Sequence, residues 1–202
     1  MNRLLGIFGG SFNPIHIGHL LLAEFIRDEF SLDKMIFIPT GNPPHKNVND
    51  LESGHHRYNM VKLAIENNPF FDVSDIELKR KGVSYTFETL TEISREYPHE
   101  KIFFICGSDS IIQFPTWRDI GKIFELADII VANRPNVPKE KLDEMINGFK
   151  MKYNARIACS AAPHMEVSSS EIRNRIKKGL SIRYMVPLTV AEYIKANNLY
   201  QE

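Results

Sequence analysis

Cysteine is scarce in this chain. Two occur in 202 residues, Cys106 and Cys159, too few for a disulfide scaffold and not spaced as a metal-binding pair. Cys106 closes an apolar run and reads as a buried thiol. An excess of charge is also lacking: 25 Lys plus Arg stand against 25 Asp plus Glu. General polyanion binders show a basic excess, so nucleic acid is not an expected partner and any anion site must be local. No apolar run approaches the roughly 20 residues of a membrane span. The opening Met-Asn-Arg-Leu-Leu does not read as a secretory signal, so a soluble, cytoplasmic protein is expected. Repeats and low-complexity segments are absent, and tryptophan occurs once, at position 117.

What is present alternates between two periods. "RLLGIF", "KMIFIP", "KIFFIC", "DIIVAN" and "ARIACS" are short apolar runs of the kind that form buried strands. "FDVSDIEL" is a weaker strand candidate. Helical spacing predicts helices over 17–30, 55–67, 86–97, 120–126, 139–149, 168–177 and 187–197, with Ser84 or Thr86 as a cap for the third. Gly179 stops the 168–177 helix, and Pro187 suits the first turn of the last one. Strands alternating with helices predict an α/β fold, a doubly wound parallel sheet. The length fits one domain over 1–202, with 180–202 as a small C-terminal helical extension.

The first strand runs into "GGSFNPIHIGH". Gly9 and Gly10 let the backbone turn sharply and approach a ligand. The chain then enters a helix whose first N–H groups lack internal partners and attract phosphate. His16 and His19 are three apart and share a face on a helical turn. They are either donors aimed at a reacting phosphate or two surface histidines beside a glycine turn. Far along the chain, "VSSSEIR" places a serine run at the start of a helix with Arg173 one turn inside. That is another phosphate cradle, although Ser168 to Ser170 also suit ordinary N-capping.

The first of these segments resembles the leading signature of the nucleotidyltransferase superfamily. His16-Ile17-Gly18-His19 also resembles the HIGH motif of class I aminoacyl-tRNA synthetases, which share the fold and adenylyl chemistry. "VSSSEIR" resembles the superfamily's second signature, Ile-Ser-Ser-Thr-x-Ile-Arg. Over nearly the whole chain the match is to one branch, the bacterial nicotinate mononucleotide adenylyltransferases. It is carried by "PTGNPPHK", "HRYNMVKLAI", "SYTFETL", "GSDS", "TWRDI" and "ANRP". Ser11, Asn13 and Ser170 stand where Thr, Asp and Thr are usual, and each keeps a small polar group.

The resemblance implies a Rossmann-like nucleotidyltransferase fold and adenylyl transfer from ATP to nicotinate mononucleotide, releasing pyrophosphate. It implies that Gly9, Gly10, Ser11, Phe12, His16 and His19 hold ATP, with Ser169, Ser170 and Arg173. His16, His19, Lys46 and Arg173 would be the catalytic set. Gly107 and Asp109 would border the adenosine, Asp109 as an acceptor or merely as a helix cap. Lys46 would swing onto the phosphates, unless it is a solvated loop lysine. Arg134 would reach a phosphate, or lie exposed before Pro135. Trp117 would stack on the pyridine ring, against its ordinary use in a core, and Thr86 would help hold the nicotinate carboxylate. Arg57 faces either the substrate or carboxylates of the protein.

Mg²⁺ is expected to arrive with ATP, held by phosphate oxygens and water, with no metal site built from protein ligands. His55 and His56 do not make one, because neighbours on a helix point apart. The partners implied are ATP and the mononucleotide, with no nucleic acid and no membrane; assembly into a homo-oligomer is left open. Transferases for other acceptors would keep both signatures but not the "SYT" and Trp117 features. A synthetase would add tRNA-binding domains, and a non-catalytic nucleotide-binding module could lose a phosphate-contacting residue.

Overall fold

The computed structural model describes residues 3–43, 51–134 and 137–201. β1 (Leu4–Gly10) leads through a glycine turn into α1 (Ile17–Glu29) and back to β2 (Lys34–Pro39). The remaining elements are α2 (Gly54–Ile65), β3 (Phe71–Val73), α3 (Ile76–Lys79), α4 (Thr86–Glu96), β4 (Lys101–Gly107), α5 (Ser108–Gln113), α6 (Ile120–Leu126), β5 (Asp128–Ala132), α7 (Lys139–Tyr153), β6 (Ile157–Ser160), α8 (Ser169–Lys177) and α9 (Leu188–Ala196). The strands form one sheet in the order β3-β2-β1-β4-β5-β6, and every pairing is parallel. The order runs outward in one direction from β1 and in the other from β4. The crevice beyond the carboxyl ends of those two strands is therefore the topological switch point, where open α/β sheets take ligands.

The apolar runs are continuous because both faces of the sheet are covered. Leu5 and Ile7 of β1, Phe104 and Cys106 of β4, and Ile129 and Val131 of β5 pack with residues of α4, α6 and α7. Their neighbours Phe8, Ile105 and Ile130 point the other way, onto residues of α1, α2, α8 and α9. The C-terminal segment belongs to this second layer: Val190, Ile194 and Leu199 are buried in it. Among the described residues, no helix is long and apolar enough to cross a membrane.

Several local features differ from the sequence reading. The strand in "FDVSDIEL" stops at Val73, and Leu78 and Lys79 then donate to the Asp75 carbonyl, which makes a short helix instead. α5 is not visible in the sequence, being only six residues long and followed directly by a 3₁₀ turn over Phe114–Thr116. α4 is capped by neither Ser84 nor Thr86; Tyr85 occupies the cap position with no side-chain bond. Pro187 precedes α9 as its cap residue rather than lying inside its first turn. Gly179 does end α8, at φ 66, with the Leu180 N–H closing onto the Arg175 carbonyl.

Candidate active site

The loop after β1 is organised around Phe12. A Cβ on Gly10 would sit 2.8 Å from the Phe12 ring, so the glycine lets that ring fold back beneath the strand end. Phe12 is 1% exposed and meets Phe8 and His19 edge-on, at 5.7 and 5.1 Å between centroids. The sequence reading placed Phe12 among the ATP contacts. Its ring is packed in the core, where it supports His19 from below, and the residue also lines the cleft beside Gly9 and Gly10.

α1 then opens with His16 as its cap residue. The His16 ring stacks on His19, and the His16 N–H donates to His19 Nδ1 at 3.3 Å. With Nδ1 accepting, a neutral His19 carries its proton on Nε2. A Cβ on Gly18 would lie 3.1 Å from His16 Nδ1, so the intervening glycine leaves room for the stack. Burial, reinforced by the Arg134 charge, lowers His16 from 6.5 to about 4. Burial also holds His19 well below its ordinary value, with His16 and Arg134 adding to the effect. Both rings are therefore neutral donors at neutral pH. His16 Nδ1 is buried without a hydrogen-bond partner among the described residues.

The second signature is strapped to this loop. Ser168 caps α8 by accepting from the Glu171 N–H at 3.2 Å. The Ser169 hydroxyl donates to the Pro14 carbonyl at 2.9 Å, and Arg173 Nη1 donates to the Asn13 carbonyl at 2.8 Å. Arg173 also lies 3.4 Å from the Ser170 hydroxyl. One cleft of about 650 Å³ is lined by Ser11, His16, His19, Arg134, Ser168 to Ser170 and Arg173, with His164 and Met165 on the loop before α8. No carboxylate lines it among the described residues.

A second cleft, of about 480 Å³, opens on the other side of the β1 end and is lined by Gly9, Gly10, Thr86, Gly107, Asp109 and Trp117. Trp117 rests on Phe114 at 4.6 Å between centroids, so one part of the ring is packed while another borders the cleft. Its Nε1 is buried and unpartnered among the described residues. Thr86 is the first residue of α4, whose uncapped N-terminus faces the same space. Ser84 beside it is 5% exposed, and its hydroxyl likewise lacks a partner among the described residues.

Asp109 is not the cap of α5; Gly107 is. The Asp109 carboxylate lies 3.3 Å from Arg134 Nε, while the Arg134 N–H donates to the Ser108 hydroxyl at 3.0 Å. A Cβ on Gly107 would fall 2.3 Å from Asp109 Oδ1 and 2.8 Å from Arg134 Nε. Only glycine lets this ion pair lie over the strand end. The expected grouping put Gly107 and Asp109 with the ATP set. The structure separates them from α8 and places them beside Thr86 and Trp117. Ser11, His19, Leu22, Ala132 and Arg134 line both clefts, so the clefts meet there.

One described residue of the expected set, Arg57, lines neither cleft. Lys46 lies outside the described residues. Arg57, expected to touch substrate, is 2% exposed and donates to the carbonyls of Glu52, Ser11 and Thr40 at 2.9, 2.9 and 2.7 Å. These bonds are all to carbonyls, with the Glu77 and Glu52 carboxylates close enough to favour its charge, and its planar fork ties the loops after β1 and β2 together by their main chains.

Other lining residues were not singled out from the sequence. Arg118, over the Tyr85 ring at 4.9 Å, and Glu77, whose carboxylate accepts from the Gly41 N–H and the Thr89 hydroxyl, both border the second cleft. Arg118 lies within "TWRDI", where Trp117 carries the reading, and no motif marks Glu77. Among the described residues, no group of three or more His, Cys, Asp or Glu is placed to hold a metal ion.

Residues 7–175 match the family described as cytidylyltransferase-like. The chain is 43% identical over 200 residues, 98% of its own length and 96% of the relative's, to a protein of Desulfitobacterium hafniense (strain DSM 10664 / DCB-2) named "Probable nicotinate-nucleotide adenylyltransferase". It is 40% identical over 199 residues, 98% of its length and 94% of the relative's, to a Thermoanaerobacter sp. (strain X514) protein of the same name. In fold it is similar to a Plasmodium falciparum nicotinic acid mononucleotide adenylyltransferase solved in complex with NaAD, with a TM-score of 0.80, 22% identity and 98% of each chain covered.

Proposed function

The chain belongs to the cytidylyltransferase-like family, and from that premise we propose that it is a nicotinate-nucleotide adenylyltransferase. It transfers the adenylyl group of ATP to nicotinate mononucleotide, giving nicotinate adenine dinucleotide and pyrophosphate in NAD biosynthesis. The observation that carries this reading is the meeting of two clefts of unlike chemistry at Ser11, His19, Leu22, Ala132 and Arg134. A reaction that joins two nucleotides through one phosphorus needs that layout.

The first cleft suits the triphosphate. It offers a helix N-terminus, serine hydroxyls, two neutral imidazoles and two arginines, and no carboxylate to repel an anion. The second suits the mononucleotide, with Trp117 against the pyridine ring and the N-terminus of α4 toward the carboxylate. Gly107 and Asp109 line the second cleft, Asp109 paired with Arg134 of the junction, where they would face the ribose and phosphate of the acceptor.

In the reaction a phosphate oxygen of the mononucleotide attacks the α-phosphorus of ATP. A new P–O bond forms, and the bond to the β-phosphate oxygen breaks. The attacking oxygen is already anionic, so no general base is required; the task is alignment and charge dispersal. His19 Nε2–H, Arg134 and Arg173 are the groups placed to receive the charge that develops. Lys46 is proposed to join them from the loop after β2. A first cleft built of donors rather than carboxylates fits a Mg²⁺ that would enter with its nucleotide and would supply further charge neutralisation. The proposal includes a cytoplasmic setting and no nucleic acid partner.

Pyrophosphate release, measured with ATP and either nicotinate mononucleotide or its amide, tests the reading. The acid should be strongly preferred. A wild type that favours the amide, or releases pyrophosphate with neither, overturns it.

A further inference from the structure

The end of the chain reaches into the loop that carries the first signature. α9 closes with the Asn198 N–H donating to the Lys195 carbonyl at 3.3 Å and the Leu199 N–H to the Ile194 carbonyl at 3.0 Å. Asn198 is left-handed at φ 52, and Leu199 is buried in the same layer as Ile194. This is a Schellman closure, and it accounts for the conformation of Asn198. It does not account for Tyr200, which is left-handed again at φ 64. A bulky residue stays in that region only where its surroundings hold it there.

What holds Tyr200 is Asn13. The Tyr200 hydroxyl donates to Asn13 Oδ1 at 2.9 Å, and the Glu52 N–H donates to the same oxygen at 3.1 Å. Asn13 is 2% exposed, and its carbonyl accepts from Arg173 Nη1 at 2.8 Å. A chain of hydrogen bonds thus runs from the last turn of the protein, through the loop after β1, to an arginine that lines the first cleft. Burial raises the Tyr200 phenol well above its ordinary value, so the hydroxyl remains a donor wherever the enzyme works.

We propose that Tyr200 is a positioning residue for adenylyl transfer, fixing Asn13 so that Asn13 aims the Arg173 guanidinium into the first cleft. The inference rests on reading that cleft as the triphosphate site. Tyr200, Asn13 and Arg173 all lie off the second cleft, so the effect belongs to ATP and not to the mononucleotide. The residue does not touch substrate, and it acts through two others.

Tyr200→Phe in the full chain tests this, because Phe keeps the ring and its packing. We expect kcat/KM for ATP to fall about five- to tenfold, the loss of one hydrogen bond expressed as a rate. Affinity for ATP alone, measured by calorimetry, should fall with it, while KM for nicotinate mononucleotide stays within about twofold. In an Arg173→Lys background the same change should cost no more than about twofold, because the two residues act in series. A KM for the mononucleotide that moves as much as that for ATP overturns the proposal. So does a lowered melting temperature with unchanged kinetics, or a loss of full size in the Arg173→Lys background. If the wild type does not use nicotinate mononucleotide, the functional reading fails, and the ATP affinities of wild type and Tyr200→Phe still decide whether the strut acts.

Discussion

The imidazole rings of His16 and His19 stack with their centroids 3.7 Å apart and their planes 23° from parallel. Two cationic rings would repel at this distance, so the arrangement is built for neutral imidazoles. The main-chain bond from His16 to His19 Nδ1 leaves Nε2–H of His19 as the donor.

A pH dependence of folding follows. Burial lowers His16 from 6.5 to about 4, so between those values the unfolded chain binds a proton that the folded chain excludes. Stability from this group is fully present above about pH 6.5 and is lost as pH falls toward 4. Urea midpoints measured across that window should decline more steeply for wild type than for His16→Phe, which keeps a flat ring without the titration. Parallel curves would show that His16 does not titrate in this way.

His19→Ala should lower kcat far more than it weakens ATP binding. The group lies where the two clefts meet, the place where the proposed reaction would build charge, and losing one such donor costs on the order of a hundredfold or more. Single-turnover rates and ATP affinities measured together check this. Equal losses in both would mean that His19 binds the ground state and the transition state alike.

Gly107→Ala should preserve the fold and damage the reaction. The added methyl would meet Asp109 Oδ1 and Arg134 Nε, both on half-exposed side chains able to move aside. The ion pair would then part, and Arg134 would leave the junction. We expect a melting temperature near that of wild type and a rate loss on the order of tenfold to a hundredfold, the scale of a displaced positioning group. An unchanged rate would remove Arg134 from the mechanism.

Acid and amide mononucleotides should be separated by the α4 end of the second cleft and not by the tryptophan. A carboxylate only accepts hydrogen bonds, whereas an amide NH₂ must donate. Facing the main-chain N–H groups at the uncapped start of α4, which cannot accept, a mispaired amide NH₂ loses about 1–3 kcal/mol. Stacking on Trp117 does not distinguish the two. Trp117→Ala should therefore weaken both substrates by a similar factor, and Thr86→Val should narrow the preference for the acid. Specificity constants for both substrates in both variants decide the matter; the reverse pattern would exchange the two roles.

The sequence by itself determined the sheet and the two signatures. Short apolar runs such as "KMIFIP" and "DIIVAN" are buried on both faces, and that burial is written locally in composition. Gly9-Gly10 before His16 and Ser168 before Arg173 likewise encode turns and caps within a few residues. What the tertiary structure alone decided were the partners brought from afar. Arg57 sits in a plain helical segment, and only the fold shows its guanidinium held by the carbonyls of Ser11 and Thr40. Gly107 and Asp109 follow a strand as any ligand-binding turn would. Their side of the site depends on where α4 and α8 pack against the strand ends. Tyr200 reaches Asn13 across 187 residues, and such a contact leaves no periodicity, because a single hydrogen bond between distant positions needs no neighbouring residue to repeat it. Local pattern fixes which elements form and what their ends can bind; which ends meet is fixed by packing the whole chain at once.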